Sequence, residues 1–121
     1  MNGSEVLLVL SNVPDRDTAQ RVAQVLIEGR HAACVNILAE CSSVYRWQGK
    51  VETASEVPLL IKTTRGAYPG LEAAIRRHHP YELPEIIAVP VEAGFSGYLQ
   101  WVAQETSLAQ TPPTSPLSGG S

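Results

Sequence analysis

The stretch SVYRWQGKVE, residues 43–52, reads as two strands folding back on one another. Gln48-Gly49 is the turn, because glycine enters the positive-φ region at no steric cost and tight hairpin loops need such a position. Working back from the turn, an extended segment starts near Ala32. Working forward, its partner runs to about Thr64, with Val57, Leu59, Leu60 and Ile61 as its apolar part. Both arms outrun an ordinary strand, so the first is expected to bend or bulge at residues 40–43, where the apolar alternation breaks. Pro58 has no N–H to give to a ladder, which places it at an edge or a bulge.

Outward from the hairpin the pattern is regular. Val6, Leu7, Leu8, Val9 and Leu10 form a continuous apolar run, as in a strand covered on both faces. Asp15 or Asp17 can cap the helix that follows. Its stripe of Ala19, Val22, Ala23, Leu26 and Ile27 falls at i, i+3, i+4, i+7 and i+8, and Gly29 is its expected terminator. A second helix is expected over residues 68–79, with Leu71, Ala74, Ile75 and His78 on one face and Pro80 ending it. Residues 86–91 read as a strand that Pro90 confines to an edge. Ser96 can cap a short last helix carrying Leu99, Val102 and Ala103. The order is strand, helix, strand, strand, helix, strand, short helix. This is the split βαβ pattern of an α+β ferredoxin-like sandwich, an antiparallel sheet with helices on one face. Residues 1–108 form its single domain, and residues 109–121, rich in Pro, Ser and Gly, read as a flexible tail. The excess hairpin length has no partner strand within one chain. A closed ring of copies would cover those edges.

Composition narrows the function. The chain has 121 residues, 44% hydrophobic and 17% charged, with a formal net charge of −3. The negative balance argues against nucleic acid, whose phosphates need a basic face. No apolar run is long enough to span a bilayer and the N-terminus lacks a basic region, so the expectation is a cytoplasmic protein with no membrane partner. Cys34 and Cys41 are too few for a disulfide framework. Seven residues apart in one strand, they point to opposite faces unless a bulge intervenes.

The densest polar cluster is HHPYELPE, residues 78–85, at a helix-to-strand junction. Imidazoles with carboxylates suit borderline divalent ions such as copper or zinc. Against a metal site, adjacent helical residues point about 100° apart, and His78 on the apolar face reads equally as a core histidine. Unwinding before Pro80 would bring the two rings together. Cys34 reads as a buried free thiol, and Lys62 and Arg65 as either an anion clamp or a solvated strand end. A phosphate loop, a metal-type Cys pair and a serine-nucleophile elbow are all missing, so the chain is not expected to be an enzyme.

Five segments in register resemble the CutA-type divalent-cation tolerance proteins: AACVNI (32–37), SVYRWQGKVE (43–52), IKTT (61–64), HHPYELPEIIAVPV (78–91) and YLQWV (98–102). The resemblance covers about residues 5–106. It implies a ferredoxin-like subunit in a tight homotrimer, a cytoplasmic protein linked to copper tolerance, and divalent metal binding without catalysis. Carried over by position, the metal residues are His78 and His79, with copper(II) or zinc as the ion and none obligatory. Some bacterial members have a cysteine where this chain has Ser11. A hydroxyl is a poorer ligand than a thiolate for soft ions, which speaks against tight copper(I) binding. The likeness of such trimers to the PII signalling proteins keeps open a second role, a regulatory or scaffolding trimer that binds a small molecule or partner protein at subunit clefts.

Overall fold

The computed structural model describes residues 3–107. Strand β1 (Val6–Val13) is followed by helix α1 (Arg16–Glu28), then β2 (Cys34–Ile37), β3 (Cys41–Trp47), β4 (Lys50–Thr64), α2 (Tyr68–His78), β5 (Ile87–Pro90) and α3 (Ser96–Glu105). All pairings are antiparallel, in the order β2-β4-β1-β5, with β3 also pairing β4. This is the expected ferredoxin-like α+β sandwich. The expected tail at residues 109–121 lies outside the described residues.

Strand β4 organises the sheet. Its C-terminal half lies between β1 and β2, while its N-terminal half forms the long hairpin with β3. Gln48 (φ 51°) and Gly49 (φ 81°) both take left-handed backbone, the two-residue turn that matches strand twist. Nothing lies within 4 Å of a Cβ built on Gly49, so conformation and not space requires glycine there. Gly49→Ala is therefore expected to destabilise by about 1–2 kcal/mol. Gly49→Asn is expected to lose less, since asparagine tolerates this region. Urea unfolding of the pair checks the ranking.

The expected break in the first arm lies at residues 38–40, slightly earlier than the alternation suggested. Ile37 pairs with Leu59 and Cys41 with Glu56, so three residues oppose two. That extra residue is a bulge, and Pro58 sits opposite it, where the missing N–H is harmless. The bulge also reverses the parity of the arm. Cys34 faces Lys62 and Cys41 faces Glu56, positions on one face of β4, so the two cysteines share a face. Six residues of β4 separate them, about 20 Å at strand rise, and both are free thiols.

Along β1 and β4, strand alternation sends Val9, Val13, Val57, Leu59 and Ile61 to one face. There α1 and α2 supply Ala19, Val22, Leu26, Leu71, Ala74 and Ile75, and all these residues are buried in one core. Asp15 caps α1 by accepting from the Thr18 N–H at 2.8 Å. The buried stripe is Thr18, Ala19, Val22 and Leu26. Ile27, expected in that stripe, is 42% exposed, because the buried side of α1 is rotated toward Val25. At the other end Gly29 is the C-cap, but the left-handed residue is Arg30, whose N–H and that of His31 close onto the carbonyls of Ile27 and Leu26. A Cβ at Gly29 would come within 2.8 Å of the His31 ring, so a larger residue there requires that ring to move. Ser96 begins α3 without capping it; Phe95 occupies the cap. Helix α3 contacts β4 and β1, and Thr64 and Thr106 hydroxyls meet at 3.2 Å. Thr64 has the parity opposite to Ile61, so α3 covers one end of the second sheet face. Farther along that face Ile87 and Val89 remain 54% and 46% exposed.

Candidate functional site

The two histidines part company at the end of α2. His78 is the last helical residue and His79 is the C-cap, extended at φ −85°, ψ 133°. Steric conflict between a proline ring and the preceding residue disfavours helical backbone there, and Pro80 follows directly. The unwinding expected before Pro80 thus affects one residue. Its effect on burial is the reverse of the sequence reading: His79, not His78, is the buried imidazole, at 7% exposure. His78 is half-buried, and its ring makes no hydrogen bond among the described residues.

Both nitrogens of His79 are engaged. Nε2 lies 2.6 Å from the Asn12 carbonyl, and Nδ1 accepts from the Tyr81 N–H at 3.1 Å. A carbonyl can only accept and an amide N–H can only donate, so the ring is the neutral Nε2–H tautomer. A metal at Nδ1 would displace the Tyr81 amide. A metal at Nε2 would displace the Asn12 carbonyl and require the proton to leave.

Around this ring the fold assembles residues far apart in sequence. The Ser11 hydroxyl donates to the Glu85 carbonyl at 2.7 Å, and the Asn12 amide donates to Glu85 Oε1 at 3.3 Å. Ser11 is buried. The Tyr81 ring lies 4.7 Å from the His79 ring, and its hydroxyl lies near Glu56. Burial first, then the Glu56 carboxylate, push the Tyr81 phenol up to about 12. Burial and Glu72, 2.8 Å away, push Tyr68 to about 12 as well. A folded pKa above the ordinary value means stability that is complete below about pH 10 and lost as pH rises toward 12. Phenolate absorbance is therefore expected to show Tyr68 and Tyr81 among the late-titrating tyrosines, returning to ordinary values in denaturant. Tyr81→Phe should remove one phenol from that late-titrating group.

The other singled-out residues are occupied structurally. Lys62 Nζ bonds Asn36 Oδ1, and Arg65 Nε pairs with Glu5 at 2.6 Å, so neither forms an anion clamp with the other. Cys34 is half-buried, not buried, and touches the Tyr98 hydroxyl. Burial and the Cys34 sulfur hold that phenol above its ordinary range. Asn12 and Glu56 escaped the sequence reading. Asn12 follows Ser11 at the end of β1 and Glu56 lies in the polar half of β4, and no local pattern distinguishes either from a solvated residue. Among the described residues, no group of three or more His, Cys, Asp or Glu converges as a metal cage.

The model of the family described as CutA1 divalent ion tolerance protein matches residues 7–105. The chain belongs to the CutA1 family. It is 44% identical over 99 residues to the divalent-cation tolerance protein CutA of Thermus thermophilus, covering 82% of this chain and 96% of that protein. It is 44% identical over 104 residues to protein CutA of Bos taurus, covering 86% of this chain and 58% of that longer protein. A solved structure of the Thermus thermophilus protein matches with a TM-score of 0.83 at 43% identity, over 84% of this chain and 99% of that one. CutA1 from Oryza sativa gives 0.83 at 36% identity, over 87% and 96%. The CutA1 match ends before residue 109, where the sequence turns Pro- and Ser-rich.

Proposed function

We propose that this CutA1 family chain acts as a cytoplasmic homotrimer that binds a divalent ion of the copper(II) or zinc type at His78 and His79, without catalysing a reaction. The observation that carries the metal reading is the uncommitted imidazole of His78 at the end of α2, with a second histidine next to it in sequence. Glu82 and Glu85 follow within the same connection and supply carboxylates of the class such ions accept. His78 is the open ligand. His79 joins only by giving up the Tyr81 N–H, and Ser11 offers a hydroxyl already spent on Glu85. One chain therefore supplies an incomplete shell, which a neighbouring copy or water would fill, and the affinity is modest. No helix among the described residues is long and apolar enough to cross a membrane.

The trimer reading rests on unpartnered apolar surface. Val44 and Val51 on the hairpin and Ile87 and Val89 on β5 are exposed, and β3 and β5 leave strand edges open. Such edges are covered in stable proteins, and a closed ring covers them all at once.

Calorimetric titration with copper(II) tests the site. Wild-type chain is expected to bind, His78→Ala to lose most of the affinity, and His79→Ala to lose less. Unaltered binding in the double variant would sink the assignment. Sedimentation should report three times the 13.0 kDa chain mass. The second reading, a PII-like trimer taking a small molecule at a cleft, draws on the open cleft beside Tyr81. Stabilisation by metabolites and not by metal in a thermal-shift screen would favour it.

A further inference from the structure

The long hairpin and the α2–β5 connection enclose a cleft of about 800 Å³, within the range that small-molecule sites occupy. Three aromatic side chains line it: Tyr45 and Trp47 from β3, and Tyr81 from the connection. All three are exposed. The remaining polar lining is dominated by carboxylates, with Glu82 and Glu85 joined by Glu56. No lysine, arginine or histidine lines it among the described residues.

Glu56 is the unusual member. It is 7% exposed, yet it lines the cleft. The neutral Tyr81 hydroxyl lies near it, and no cationic side chain pairs with it among the described residues. Carboxylates taken out of water are normally matched by a cation, because an uncompensated buried charge is costly. By parity along β4 and its pairing with β3, Glu56 shares a face with Ser43 and Tyr45, which also line the cleft.

Two kinds of cation could meet such a carboxylate. A bare divalent ion needs several converging ligands, and no such group forms among the described residues. A cation with a large, weakly hydrated head needs one carboxylate and the faces of aromatic rings, which attract positive charge through their quadrupole. The cleft offers the second set.

We propose that this cleft binds a small organic cation with a guanidinium or primary ammonium head, held by Glu56 between the rings of Trp47 and Tyr81. The proposal goes beyond metal binding at His78 and His79 and does not rest on it, although Glu82 and Glu85 border both places. Glu56 supplies the charge, Tyr81 lies beside the carboxylate, and Trp47 closes the wall. Glu82 and Glu85 at the rim raise the local concentration of cations and admit no anion.

The test is calorimetric titration of the full chain with butylguanidinium, and separately with butylurea, a planar head of the same shape and no charge. Saturable binding of butylguanidinium with binding of butylurea weaker by about tenfold or more is expected, since the charge pair is desolvated. Glu56→Gln is expected to remove that difference, and Trp47→Leu to weaken the cation by about threefold or more. Absence of saturable binding, equal affinity for the two probes, or unchanged affinity in Glu56→Gln would overturn the proposal. Should Glu56→Gln fail to fold, Trp47→Leu at its exposed position decides alone, and unchanged affinity there is a refutation. Copper(II) titration of Glu56→Gln separates the two sites: intact copper binding with lost guanidinium binding supports the proposal, guanidinium binding retained in that variant overturns it whatever becomes of copper, and loss of both in a folded variant refutes a cleft site independent of the metal site.

Discussion

Ile61→Ala is expected to destabilise the chain by about 2–5 kcal/mol, the range for emptying a large aliphatic site in a rigid core. Ile61 is fully buried. It pairs with Val9 on one side and Val35 on the other, at the centre of the strand that holds the sheet together. Below it lie side chains from both α1 and α2, so a cavity there is walled by three elements that cannot all collapse. Domains of this size are stable by roughly 5–15 kcal/mol, so the loss is a large share of the total. Ile61→Val removes one methylene and should cost about 0.5–1.5 kcal/mol. Denaturant midpoints of the two variants, at fixed chain concentration, check the ratio. A loss below about 1 kcal/mol for the alanine variant would mean that the core relaxes into the void.

Ile87→Lys is expected to break the proposed trimer while leaving the subunit folded. In a single chain Ile87 is 54% exposed, and a substitution at such a position shifts stability by about 0.5 kcal/mol or less. In a closed ring the same position would be covered, and a lysine there would lose its water without gaining a partner. Every subunit carries the change, so the penalty recurs at each interface, and each 1.4 kcal/mol is about tenfold in the association constant. Sedimentation at micromolar concentration should therefore show smaller species, with the far-ultraviolet dichroism of the wild type retained. An unchanged trimer would show that the open sheet face lies outside the interface. A monomeric wild type would refute the assembly itself.

The elements were legible because their signals are local. A run of five apolar residues, an i, i+3, i+4 stripe and a Gln-Gly turn each depend on neighbours within a few positions. Pro58 and Pro90 even marked the bulge and the edge strand, since a missing N–H is a constraint wherever the chain goes. The errors share a cause as well. Ile27 belonged to the stripe by periodicity, but which arc of a helix is buried depends on the angle at which α1 meets α2 and the sheet. His78 belonged to the apolar face by spacing, yet His79 is the buried ring, because its partners are the Asn12 carbonyl, 67 positions away, and the Tyr81 amide.

By itself the sequence determined the ferredoxin-like order of strands and helices, the turn at Gln48-Gly49 and the break of α2 before Pro80. Each is dictated by backbone sterics or by a hydrophobic period, which act over a few residues and leave a mark in them. Only the tertiary structure decided that Cys34 and Cys41 share a face, that His79 spends both nitrogens, and that Glu56 is buried beside Tyr81 without a counter-charge. These follow from one extra residue in a bulge and from the register of β1 and β3 on β4. Register is a long-range quantity: a shift of one residue would turn every one of these side chains to the other face.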